Sequence, residues 1–171
     1  MNLNKFFKLL NITNLTDLTD GETKKTVKSY EEFISKQPHL SGVISKNMFG
    51  IFDKYDYSFS ELTLNFYADK PVKPTDEKIT VKVSDKLDEY VQFSFDSESM
   101  KLCFNEKDSI SVSASNTGLV SIRFIFADDN CFLFINGQLA ASYKYQLAKK
   151  IRSVRIDTTI TRGLQFKIVK L

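Results

Sequence analysis

From Lys46 to Leu171, apolar and polar positions alternate with a period of two. Leu62, Leu64 and Phe66 form one apolar row, and Ile79, Val81 and Val83 the next. The pattern repeats at Val91, Phe93 and Phe95, at Ile110, Val112 and Ala114, and at Ile122, Phe124 and Phe126. Phe132 and Phe134, Val154 and Ile156, and Leu164, Phe166 and Ile168 complete it. Such alternation puts successive side chains on opposite faces of a strand, one buried and one wetted. Turn chemistry separates the runs: Lys70-Pro71, Pro74-Thr75-Asp76, Asn116-Thr117-Gly118, Asp128-Asp129-Asn130, Asn136-Gly137 and Arg162-Gly163. Asn-Gly is the sharpest signal, since a type I′ turn needs positive φ at both central residues. Short strands at this spacing, with no strand–helix alternation, predict an all-β, two-sheet antiparallel sandwich.

Residues 1–42 follow another period. Val27, Tyr30, Phe33 and Ile34 recur at helical spacing, and Pro38 and Gly42 are helix-stopping residues. Phe6, Phe7, Leu9 and Leu10 form a second apolar cluster. The organisation expected is a short N-terminal helical extension over 1–42, then a sandwich domain over 43–171. The stripe either packs on the sandwich or docks into a partner's groove; periodicity does not choose between them.

Composition adds three constraints. There are 15 Phe and no Trp, so the core rests on Phe and no indole is available to stack on a ligand. Cys103 and Cys131 are too few for a disulfide framework and read as buried small hydrophobes on strands, which suits a reducing compartment. No apolar run reaches the roughly 20 residues of a membrane span. The opening stretch is short, with Lys5 and Lys8 and no small-residue cleavage site, so no signal peptide is expected. A cytoplasmic location is the expectation, with leaderless export and nuclear entry open.

Net charge is +3, but unevenly spread. Asp53–Asp108 is acid-rich, whereas in Lys144–Leu171 Asp157 is the one acid among Lys144, Lys149, Lys150, Arg152, Arg155, Arg162, Lys167 and Lys170. The plainer reading is that these cations keep strand edges soluble. The functional one is a basic face for phosphate, a sulfated glycan or an acidic protein. Tyr143, Lys144, Tyr145, Phe166 and Lys167 interleave aromatics with charge, but inward aromatics and outward cations explain that without nucleic acid.

Catalytic patterns are missing. His39 stands alone beside Pro38, and with two distant cysteines it makes no zinc site. No phosphate-binding glycine loop, metalloprotease helix or nucleophile elbow occurs. Asp88-Glu89 and Asp128-Asp129 are paired acids, the latter in a predicted turn. The expectation is a protein that is not an enzyme and carries no cofactor or metal.

From Leu119 the chain reads LVSIRFIFADDNCFLFINGQLAASYKYQL, then IRSVRID, then LQFKIVKL. Leu62–Asp96 supplies a strand, a Pro-containing turn and two further strands. Together these resemble a galectin-type jelly-roll sandwich over roughly 43–171. The resemblance implies a sugar-binding sheet carrying His-x-Asn-Pro-Arg, a Val-x-Asn strand, a stacking Trp and a Glu-x-x-Arg element. In this chain Ser94 stands at the His position, Asp96 at the Asn position and Glu98 at the Arg position. Arg to Glu replaces a five-donor cation by an acceptor. Asn105 in KLCFNE matches the family's amide to within one residue, and the Trp and Glu-x-x-Arg elements have no counterpart.

The scaffold without the galactoside set points to a binding module for protein–protein interaction, including self-association. Partner contacts would come from Val27, Tyr30, Phe33 and Ile34, a strand edge, or the Lys149, Lys150, Arg152 and Arg155 face. The alternative is a lectin of altered specificity using Ser94, Asp96, Glu98, Asn105 and nearby tyrosines, since a Tyr ring also offers an apolar face.

Overall fold

The computed structural model describes residues 32, 35–44, 48–52, 59–68, 77–84, 90–127, 130–144, 153–160 and 162–170. All twelve elements defined among them are strands: β1 His39–Ile44, β2 Met48–Phe52, β3 Phe59–Tyr67, β4 Lys78–Ser84, β5 Tyr90–Asp96 and β6 Lys101–Phe104. β7 Asp108–Ser111, β8 Leu119–Ala127, β9 Asn130–Ile135, β10 Gln138–Lys144, β11 Ser153–Thr158 and β12 Leu164–Lys170 follow. Sheet A has the order β1-β12-β3-β8-β9-β10 and sheet B the order β2-β11-β4-β5-β6-β7. Every described strand pair is antiparallel.

The alternating rows become the inner faces. Leu62, Leu64 and Phe66 of β3 and Ile122, Phe124 and Phe126 of β8 meet Ile79, Val81 and Val83 of β4 and Val91, Phe93 and Phe95 of β5. Phe93 lies at the centre: its ring centroid is 4.4 Å from Phe124 on the opposite sheet and 5.2 Å from Phe104 on its own. Phe66 and Phe95 make a second contact between sheets at 5.0 Å. These are tilted pairs, the arrangement ring quadrupoles favour. Burial of so many large rings takes the place of the missing Trp.

One turn fixes the β9–β10 hairpin of sheet A. Asn136 and Gly137 have φ of 49° and 82°, the expected type I′ turn between β9 and β10. The Asn136 side chain ties that turn to its neighbours: Oδ1 accepts from Ser121 N–H at 2.9 Å and Nδ2 donates to the Ser113 carbonyl at 2.6 Å.

Three expectations are corrected. First, residues 39–42, assigned to the extension, lie in β1 and pair with β12. Gly42 is no helix stop: it faces Phe166, whose Cε1 would lie 2.9 Å from any Cβ there, so the ring lies over bare backbone. The helical extension itself is not among the described elements, and Val27, Tyr30, Phe33 and Ile34 lie outside the described residues. Second, Phe132 and Phe134 are not the core row of β9; Cys131, Leu133 and Ile135 are. The strand is buried on both faces, so alternation carries no sign there. Third, Cys103 is half-buried on β6, whereas Cys131 is fully buried and its thiol pKa is pushed up by burial.

On the outward face of sheet A, Glu61 is 5% exposed and holds Arg123 by two bonds, Nε to Oε1 at 2.6 Å and Nη2 to Oε2 at 3.0 Å. Removing one partner of a buried pair strands the other charge. Arg123→Met is expected to lower unfolding free energy by about 3 kcal/mol or more, and Glu61→Leu/Arg123→Met to recover most of that, in urea titration. A single variant as stable as the parent would show that the pair is solvated.

Tyr143 stacks on Phe104 at 4.5 Å. Burial first, then the Asp108 carboxylate, and then Cys131 and Cys103, raise its phenol pKa above the model-compound 10.0. The folded state therefore resists ionisation. Its stability contribution is full below about pH 10 and is lost as pH rises through the raised value. Tyr143→Phe is expected to flatten this alkaline loss, measured as denaturation midpoints at about pH 8 and about pH 11. An unchanged loss would assign it to other groups.

Candidate functional site

Inward packing of Val91, Phe93 and Phe95 forces Tyr90, Gln92, Ser94 and Asp96 onto the outward face of sheet B. The register sets their neighbours. Gln92 lies beside Lys82, which lies beside Arg155. Ser94 sits between Thr80 and Cys103, and Asp96 between Lys78 and Lys101.

The four family-position residues are not equivalent. Asp96 Oδ1 accepts the Glu98 and Ser99 backbone N–H groups at 2.8 and 3.2 Å. It closes the β5–β6 turn, the local task for which Asp is suited. Glu98 is exposed in that turn. Ser94 Oγ accepts from Gln92 Nε2 at 3.4 Å. Asn105 follows β6 with φ of 45°; its N–H donates to the Gln92 carbonyl and its Oδ1 accepts the Gln92 N–H, both at 2.9 Å. Asn105 and Ser94 are thus gathered around Gln92, while Asp96 and Glu98 serve the turn beyond.

A shallow hollow of about 310 Å³ opens on this face, lined by Tyr90, Gln92, Asn105 and Glu106. Tyr90 is 52% exposed, and Lys82 Nζ lies 3.7 Å from its ring centroid. That cation–π contact holds the ring on the sheet. Asn105 Oδ1 is engaged, which leaves Nδ2 as a donor to the hollow. Its counterpart in sheet A, Asn136, has the same bracketing of a neighbouring strand but spends Nδ2 on a carbonyl.

Glu106 has φ of 60°, in the left-handed region where a side chain costs about 1 kcal/mol and Gly is preferred. The hairpin demands it: Asn105 and Glu106 are the two left-handed residues of the β6–β7 turn, closed by the Lys107 N–H to Phe104 carbonyl bond at 3.0 Å, and the turn sets Glu106 at the rim of the hollow. Tyr90, Gln92 and Glu106 were missed in the sequence, although alternation alone places Tyr90 and Gln92 beside Ser94.

The basic face divides. Arg155 is exposed on β11 and its Nε donates to Asp157 Oδ2 at 3.1 Å. Lys149, Lys150 and Arg152 lie outside the described residues. His39 is exposed on β1. Among the described residues no group of three His, Cys, Asp or Glu could hold a metal, and no helix is long and apolar enough to cross a membrane.

No protein-family model matches this chain, and no curated protein matches its sequence. Solved structures do. The exo-inulinase of Aspergillus awamori superposes with a TM-score of 0.60 at 11% identity, over 80% of this chain and 29% of the enzyme. The β-fructofuranosidase of Aspergillus kawachii gives 0.61 at 7% identity, over 84% and 29%. The galectin LEC-6 of Caenorhabditis elegans gives 0.54 at 10% identity, over 77% of this chain and 95% of the galectin. The chain thus spans under a third of either enzyme and nearly all of the galectin. At such identities the likeness concerns architecture: the chain has the two-sheet antiparallel β-sandwich fold found in galectins and in one part of these fructose-processing enzymes.

Proposed function

We propose that the chain is a non-enzymatic binding module that takes a carbohydrate on the outward face of sheet B. The observation that carries this is the hollow with an exposed Tyr90 ring beside the Gln92 and Asn105 amides and the Glu106 carboxylate. A carboxylate accepts two hydroxyls, an amide donates and accepts, and a phenol ring covers an apolar sugar face. A few convergent polar groups around an aromatic are what a small-ligand site needs. The galectin and fructofuranosidase likenesses support a carbohydrate-binding type of fold, while Ser94, Asp96 and Glu98 argue against the usual galactoside set. Lys82, the strand neighbour of Gln92, is held over the Tyr90 ring, and with the Glu106 carboxylate in the lining the hollow favours a hydroxyl-rich, uncharged sugar.

A second reading, docking of a protein or a second copy, is favoured by one observation. The edge strand β1 carries exposed Leu40 and Val43, at 39% and 68%. An edge with apolar side chains is a template for strand addition.

A broad glycan array with the full chain tests the first reading. At least one glycan class is expected to bind, and Tyr90→Ala to weaken it about tenfold or more, a loss of about 1.4 kcal/mol. Glu106→Gly is expected to weaken it similarly while raising stability by about 1 kcal/mol, because the turn strain is relieved. An array without hits, with a partner or dimer lost on Val43→Asp, would replace the lectin by the docking module. Glycan binding indifferent to Tyr90 and Glu106 would move the site elsewhere.

A further inference from the structure

On the outward face of sheet B two cations stand side by side. Arg155 of β11 and Lys82 of β4 are directly opposed in the register. Side chains so placed start only about 5 Å apart, and like charges there repel. The repulsion is resolved by direction. Arg155 Nε donates to Asp157 Oδ2 at 3.1 Å, and Asp157 lies in the Thr80 row. Lys82 Nζ lies 3.7 Å from the Tyr90 ring centroid, and Tyr90 lies in the Ser84 row. Thr80 and Ser84 flank Lys82 on opposite sides along β4. The two cations therefore turn away from each other along the strand axis. Arg155 also occupies Asp157, the carboxylate diagonal to Lys82, so that Lys82 is left to the ring.

Tyr90 needs such a support. Its ring is 52% exposed, and its cross-strand neighbour Ser84 is too small to brace it. Among the described residues its side chain has no hydrogen-bond or aromatic partner besides Lys82. A ring free to sample its rotamers would have to be ordered by the ligand, at a cost in affinity. Lys82 is half-buried: its stem lies along the sheet and its ammonium reaches the ring.

We infer that Lys82 is the positioning residue of the hollow. The Asp157–Arg155 pair directs its ammonium onto Tyr90, and the ammonium orders the ring before the ligand arrives. This rests on the carbohydrate reading of the hollow and names what prepares its aromatic platform. It also gives the opposed cations a use, since Arg155 acts on the ring through Lys82 without touching it.

The full chain allows a test with and without ligand. Reductive dimethylation with carbon-labelled formaldehyde gives each lysine an NMR methyl signal and keeps its charge. The Lys82 signal, assigned by its loss in Lys82→Arg, is expected upfield of the other lysines because of the Tyr90 ring current. It should rejoin them in Tyr90→Leu. In Arg155→Met it should move back part of the way, because Asp157 is then free to draw the ammonium off the ring. On the neutral glycan bound most tightly by the array, Lys82→Met is expected to weaken binding about threefold, the size of an exposed cation–π contact. Lys82→Arg should restore it, since a guanidinium also caps a ring. A Lys82 signal among the other lysines would overturn the inference, as would one indifferent to Arg155→Met. Glycan binding equal in Lys82→Met and the parent would keep the carbohydrate and remove the role of Lys82. An array without hits, with the methyl signals as expected, would remove the carbohydrate and leave Lys82 as the residue that orders the ring.

Discussion

Phe93 is the point at which the two sheets are joined. It projects from the middle of β5, meets Phe124 of β8 across the interior, and touches Phe104 in its own sheet. Sheets stack about 10 Å apart, a gap that two interdigitated large side chains fill. Because Phe93 must point inward there, the parity of β5 is set, and Tyr90, Gln92, Ser94 and Asp96 must point outward. Slipping β5 by one residue would bury Gln92 and expose Phe93. The β5 half of the candidate site is therefore a consequence of the core, while Asn105 and Glu106 are brought to it by the β6–β7 turn and by the two bonds between Asn105 and Gln92.

That link explains what could be read from the sequence. Where a strand alternates between buried and solvent-reached positions along its whole length, as in β4 and β5, the apolar row in the sequence is the row found in the core. β9 defeats the same rule because Phe132 and Phe134 are buried on the face opposite Cys131, Leu133 and Ile135, and a strand apolar on both sides has no readable parity. β1 was missed for another reason: Pro38 and Gly42 look like helix-ending punctuation, whereas Gly42 makes room for the Phe166 ring. The Asn136-Gly137 hairpin was legible because its backbone demands are local.

The site was legible only in part. Ser94 and Asn105 do lie together, around Gln92, but Asp96 is engaged by two backbone amides of its own turn. A sequence shows that Asp and Asn are present; it does not show whether a turn has already used their oxygens. The two Asn residues at left-handed turns make the point. Asn136 commits both side-chain ends to the fold, while Asn105 commits its oxygen alone. Residue type is the same, and the difference lies in whether a carbonyl from another segment comes within reach.

The two outward faces are thus put to different uses. On sheet A the alternation gives way to apolar residues around a buried ion pair, a costly arrangement for a surface meant to be wet, since the Glu61 carboxylate is desolvated and depends on Arg123. On sheet B the outward rows stay polar and half-exposed, and the hollow is edged by a hairpin turn whose two left-handed residues are Asn105 and Glu106 rather than Gly. Because the packing beneath sheet B is complete without its outward residues, a hydroxyl-rich ligand can displace loosely held water from that shallow, wet surface without disturbing the core.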